Sequence, residues 1–163
     1  SLVRCSDDAV QELINYFAKV SDDTAIIFFG DHQPNVPAAF YDDLYGNTDA
    51  ERSREQEQTK LMTPFFIWAN YDIPSQNGVE ISANYLSALT LNVLGCSTSG
   101  FDEMRLATRE SVPRINNYGY YLADGSWHDD ETLSECGELT GYREAQYAQI
   151  FDAKKRKNEW YLP

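Results

Sequence analysis

The sequence predicts an α/β fold, a sheet with helices packed on its faces. Three observations carry that prediction. Residues 24–29 form a short apolar run rich in β-branched and aromatic side chains, ending at Gly30; a run of this kind reads as a strand buried on both faces. An amphipathic stripe precedes it, and a second apolar run at 63–70 leads into another stripe. The resulting order is helix, strand, loop, strand, helix, the rhythm of helices laid against a sheet.

Taken in order, Ser6 offers an N-cap and Asp7 and Asp8 place carboxylates in a first turn, where the helix dipole favours them. Val10, Leu13, Ile14, Phe17 and Val20 then recur at helical spacing. Ser21-Asp22-Asp23 turns the chain into the buried strand. Buried parallel strands carry their chemistry at the carboxyl end, and here that end delivers Asp31 and His32. Pro34 and Pro37 prevent regular continuation.

The mixed-sign run from Asp49 to Lys60 reads as a solvated helix or loop without a function of its own. Pro64 suits the first position of a strand within the apolar run 63–70. Ser82 caps a helix striped by Tyr85, Leu86, Leu89, Val93 and Leu94, with Gly95 placed to stop it in the left-handed conformation. A short helix over 101–109 ends before Pro113. Asp124-Gly125 signals a hairpin between 118–122 and 126–128. A closing helix from about Thr140 to Lys155 ends in the basic tail Lys154, Lys155, Arg156, Lys157.

Charge and length exclude several functions. The 163 residues suit one domain, and 26 acidic residues against 13 basic ones give a net charge of −13. Long-range repulsion from phosphate backbones argues against nucleic acid as a partner. A phosphate-ester substrate would require local positive charge, from a bound cation or from residues outside this chain. No apolar stretch is long enough to span a bilayer. The three cysteines, Cys5, Cys96 and Cys136, have no zinc or redox spacing. No Gly-x-Ser-x-Gly elbow, phosphate loop or dinucleotide glycine pattern is present.

Asp31 and His32 remain as the chemical feature. Adjacent strand residues point to opposite faces, so the pair meets one metal ion only if the backbone bends, and Gly30 permits that bend. A carboxylate beside an imidazole suits Mn²⁺ or Zn²⁺, and Mg²⁺ less well. Two ligands are fewer than a catalytic metal takes from its protein. A turn with a capping carboxylate is the alternative reading of the same dipeptide. His128, in the expected hairpin, reads as a surface residue rather than a third ligand.

Ile26-Ile27-Phe28-Phe29-Gly30-Asp31-His32-Gln33-Pro34 resembles the strand and Gly-Asp-His-x-Pro motif of the lipoteichoic acid synthase family. These phosphoglycerol transferases belong to the sulfatase branch of the alkaline phosphatase superfamily. The resemblance extends to the helix at 6–14, to Thr63-Pro64-Phe65-Phe66-Ile67-Trp68-Ala69-Asn70-Tyr71-Asp72, and to the helix at 81–86. A fainter likeness runs through 119–127 and the final helix.

The resemblance implies part of an alkaline phosphatase/sulfatase-like sheet with helices on its faces, plus a C-terminal hairpin and closing helix. It implies that Asp31 and His32 bind a divalent cation, manganese first, with Mg²⁺ or Zn²⁺ as alternatives. It further implies that residues 1–163 are the C-terminal portion of a catalytic domain. The threonine nucleophile and glutamate ligand of such enzymes lie N-terminal to the region matched here. The parent would be membrane-anchored, with its catalytic domain on the extracellular side, and would transfer phosphoglycerol from a phospholipid through a phospho-threonine. A sister phosphoethanolamine transferase, sulfatase or phosphodiesterase fits the same pair. So does an acidic, non-catalytic binding module on the same fold.

Overall fold

Among the described residues, the chain forms two small antiparallel sheets and six α-helices. The structure is a computed structural model that describes residues 2–152, 154 and 157–163. Helix α1 spans Leu2–Phe17 and leads to β1, Ala25–Phe29. Helices α2 (Ala38–Tyr45) and α3 (Arg54–Thr59), with a single 3₁₀ turn at Asp49–Glu51 between them, precede β2, Phe65–Ala69. Helices α4 (Ala83–Val93) and α5 (Gly100–Ser111) follow, then β3 (Arg114–Ile115), β4 (Gly119–Tyr121), β5 (Trp127–Asp129) and, after two short 3₁₀ segments, α6 (Thr140–Phe151).

The strand run is where sequence expectation and structure part. β1 pairs antiparallel with β2, in the register Ala25↔Ala69, Ile27↔Ile67, Phe29↔Phe65. Among the described residues the pair forms a two-stranded sheet, and Phe29 is 58% exposed rather than buried on both faces. The apolar run identifies a strand correctly but carries no information about how many neighbours cover it. β2 begins one residue after Pro64, as the missing N–H of proline requires.

Two element boundaries and one capping bond are also corrected. α1 starts at Leu2, so Ser6, Asp7 and Asp8 lie inside the helix instead of capping it. The helical register simply extends N-terminally past the polar cluster. Ser82 stands at the N-cap of α4 but makes no side-chain cap bond; its hydroxyl donates to the Ile115 carbonyl at 2.8 Å and accepts from the Ile115 N–H. A tertiary partner has taken the hydroxyl that the local cap would have used. α6 ends at Phe151. Of the basic tail, Lys155 and Arg156 lie outside the described residues.

Other local signals hold. Gly95 and Gly125 have φ of 69° and 84°, the left-handed backbone that a helix stop and a tight hairpin require. α5 is closed at its start by a capping box, Ser99 Oγ accepting from Asp102 N at 3.1 Å while the Asp102 carboxylate accepts from Ser99 N at 3.0 Å. The core lies in the C-terminal half, where Phe101, Val112, Tyr120, Cys136, Leu139 and Tyr142 pack together. No described helix is long and apolar enough to cross a membrane.

The charged run at 49–60 is not merely solvated. The Arg52 side chain is fully buried and bonds Asp42 at 2.8 Å, Glu57 at 2.7 Å, the Asn47 carbonyl at 3.1 Å, and Asp49. α3, opened by a Ser53–Gln56 capping box, docks on the second sheet. There Tyr121 donates to Glu55 at 2.7 Å and Asn116 to Gln58 at 3.2 Å.

Candidate functional site

The chain leaves β1 at Gly30, and the next three residues form an exposed turn. The Asp31 Oδ1 accepts the His32 backbone N–H at 2.9 Å, and His32 Nδ1 lies 2.9 Å from the Gln33 carbonyl. His32 Nε2 faces Asp31 Oδ2 at 3.4 Å, with both side chains about four-fifths exposed. The backbone therefore bends as the sequence requires, and two adjacent side chains converge on one side.

The entry to β2 fixes this turn. Gly30 N–H donates to the Pro64 carbonyl at 3.0 Å, Thr63 Oγ1 donates to the Gly30 carbonyl at 2.8 Å, and the Gln33 side-chain amide donates to the Met62 carbonyl. A Cβ on Gly30 would stand 2.9 Å from Thr63 Cβ, so glycine here serves close approach between the two segments. Reading the sequence alone missed Thr63 and Gln33. Their signal is a hydroxyl immediately before a proline-led strand and a polar residue inside the Asp-His-x-Pro turn.

The donor set fits a divalent cation in part. A carboxylate oxygen and an imidazole nitrogen about 2.1 Å from one tetrahedral ion stand roughly 3.4 Å apart, which matches the observed separation. Among the described residues no group of three or more His, Cys, Asp or Glu side chains gathers to complete such a site. His128 is engaged elsewhere. Its half-buried ring stacks on Tyr120 with centroids 5.0 Å apart, and Ser126 Oγ lies 3.2 Å from its Nε2.

A cavity of about 770 Å³ is lined by residues of β2 and α4 together with Gly30, Thr63, Pro64, Arg114 and Asn116. Arg114 is ion-paired with Glu80 at 2.6 Å, and its guanidinium lies 3.6 Å from the centroid of the Tyr121 ring.

Comparison with known proteins identifies the family of the chain. The sulfatase family matches residues 1–96, the stretch holding the Asp31–His32 turn and both strands of the first sheet. The chain belongs to the sulfatase family. A Rhizobium meliloti (strain 1021) protein named for cyclic β-1,2-glucan modification is 30% identical over 96 residues, covering 57% of this chain and 15% of that protein. Among solved structures, Streptococcus pyogenes phosphoglycerol transferase GacH, in complex with sn-glycerol-1-phosphate, matches with a TM-score of 0.58 at 15% identity. That match covers 96% of this chain and 35% of GacH. The mixed α/β architecture is thus similar to that of GacH, and this chain spans only a minor share of each of these two relatives.

Proposed function

We propose that this chain is the C-terminal portion of a sulfatase-family catalytic domain, of the lipoteichoic acid synthase-like kind, that transfers phosphoglycerol from a phospholipid. The observation that carries the reading is the convergence of Asp31 Oδ2 and His32 Nε2 at 3.4 Å in an exposed turn. Asp31 and His32 would hold a divalent cation, Mn²⁺ first, with the remaining ligands and a threonine nucleophile contributed by residues N-terminal to these. When bound, such an ion supplies Lewis-acid stabilisation of phosphoryl charge and lowers the cost of ionising a hydroxyl nucleophile. Threonine attack on phosphorus would release the lipid alcohol and leave a phospho-threonine, which an acceptor hydroxyl then resolves. The charge of a bound cation would also offset the repulsion between a chain of net charge −13 and an anionic head group.

The names of the two relatives support this reading from different sides. One is a phosphoglycerol transferase and the other is named for modification of a glucan, which favours a carbohydrate hydroxyl as acceptor. The parent is proposed to work on the extracellular face of the membrane.

The test uses the full-length parent and a nitrophenyl phosphodiester. Chelation is expected to abolish turnover and Mn²⁺ to restore it. Asp31→Ala and His32→Ala should each lower turnover beyond the roughly 10–100-fold that follows loss of a residue merely supporting a metal ligand. The 163-residue chain by itself should show none. Wild-type turnover in Asp31→Ala parent protein would refute the proposal.

A further inference from the structure

We infer that Thr63 and Gln33 are positioning residues that set the tautomer and direction of His32, an inference that rests on the metal-binding reading for its purpose. A carbonyl only accepts, so the contact between His32 Nδ1 and the Gln33 carbonyl at 2.9 Å puts the proton of the neutral ring on Nδ1. The lone pair is left on Nε2, because the other acceptor, Asp31 Oδ2, stands 3.4 Å from it, beyond the usual N–H···O range that the Nδ1 contact meets. Partners that hold one imidazole nitrogen decide what the other can do.

The Gln33 carbonyl can choose the tautomer only if it is itself held in place. Its residue is tied through the side-chain amide to the Met62 carbonyl. The other end of the turn is tied by Thr63 Oγ1 to the Gly30 carbonyl at 2.8 Å and by Gly30 N–H to the Pro64 carbonyl at 3.0 Å. Three consecutive residues at the mouth of β2 therefore grip the ligand turn on both sides. Pro64 contributes by restricting Thr63 to extended backbone, which keeps the hydroxyl aimed at Gly30. Asp31 and His32 are themselves exposed, so no packing of their own side chains holds them; the grip from across the strand pair does.

The experiment reads the imidazole directly, without metal. The chain is labelled with ¹⁵N-histidine and its ring nitrogens are observed by NMR at alkaline pH, with His32→Gln identifying the signal. Wild type is expected to show His32 as the Nδ1–H form. Thr63→Val and Gln33→Met, which keep the shape and remove the hydrogen bond, should shift it toward the Nε2–H form that free imidazole side chains prefer. Thr63→Ser, which keeps the hydroxyl, should restore the wild-type signal. An Nε2–H ring in wild type, or an unchanged tautomer in both Thr63→Val and Gln33→Met, overturns the inference.

In the full-length parent, Thr63→Val should weaken Mn²⁺ binding by roughly 10–100-fold. Asp31→Ala serves there as the control for the underlying reading. Full Mn²⁺ affinity in Asp31→Ala, with the tautomer behaving as expected, would refute the metal reading while the positioning of His32 stands.

Discussion

Thr24 and Asn70 bond each other twice: the Asn70 side-chain carbonyl accepts the Thr24 N–H at 2.8 Å, and the Asn70 N–H donates to the Thr24 carbonyl at 3.0 Å. The Asn70 side-chain amide meanwhile reaches the carbonyls of Phe17, Val20 and Asp22 at 3.0–3.2 Å. One residue after β2 thus closes the C-terminal end of α1 and aligns the start of β1. Asn70→Ala is expected to cost about 2–3 kcal/mol, the sum of a few net hydrogen bonds, read by urea unfolding. Asn70→Asp keeps the acceptor but sets a carboxylate against a helix C-terminus, so it should not recover the loss.

Gly30→Ala tests the close approach at the Asp31–His32 turn. The new Cβ meets Thr63 Cβ rather than the end of a flexible side chain, so overpacking of about 1–3 kcal/mol is expected. Adding Thr63→Ala should bring no relief, because alanine retains the offending Cβ. Chemical denaturation of both variants checks this.

Arg52→Met leaves Asp42, Asp49 and Glu57 gathered without their cation, and should lower the melting temperature by several degrees. Arg52→Lys should recover only part, since an ammonium cannot serve acceptors spread as widely as a planar guanidinium can. The same hub fixes a pH dependence. Arg52 holds the Asp49 carboxyl below its ordinary value; burial pushes Glu57 up, but Lys60 and Arg52 outweigh it and hold Glu57 low as well. The folded state then binds fewer protons than the unfolded state. This stability is present above the ordinary carboxylate range and is lost as pH falls through the depressed folded values. Acid melts of wild type should be steeper than those of Arg52→Met.

At the alkaline end the sign reverses. Burial pushes the Tyr85 phenol up to about 12; burial, and then the Glu55 carboxylate, push Tyr121 up to about 12. Phenols raised when folded contribute stability that is complete below the unfolded value of about 10 and is lost as pH rises toward 12. Tyrosinate absorbance should show these two groups ionising late, with Tyr85→Phe removing one late step.

What the sequence could disclose depended on how local each cause is. Gly95 and Gly125 announce their turns because a left-handed backbone demands glycine at that position and nowhere else nearby. Gly30, Asp31 and His32 disclosed the candidate ligand turn for the same reason, since the bend and both donors lie within three residues. Strand burial was misread because exposure of Phe29 depends on neighbours that no stretch of sequence names. Arg52 was hidden because a cation in a mixed-sign run looks like its exposed neighbours until the helices on either side close around it. Thr63 and Gln33 matter only through contacts across the strand pair.

The Arg52 hub also bears on the order in which the chain folds. Its partners Asp42, Asp49 and Glu57 all lie within ten residues of it in sequence, so the segment between the Asp31–His32 turn and β2 can condense before the two strands meet. A condensed connector is shorter in effect, and each halving of a loop's effective length lowers the closure cost by about 0.6 kcal/mol. A hub that forms before the strands join predicts that removing Arg52 slows refolding more than it accelerates unfolding. The segment between β1 and β2 thereby works as a folded spacer that brings residues 62–64 back to the turn they hold.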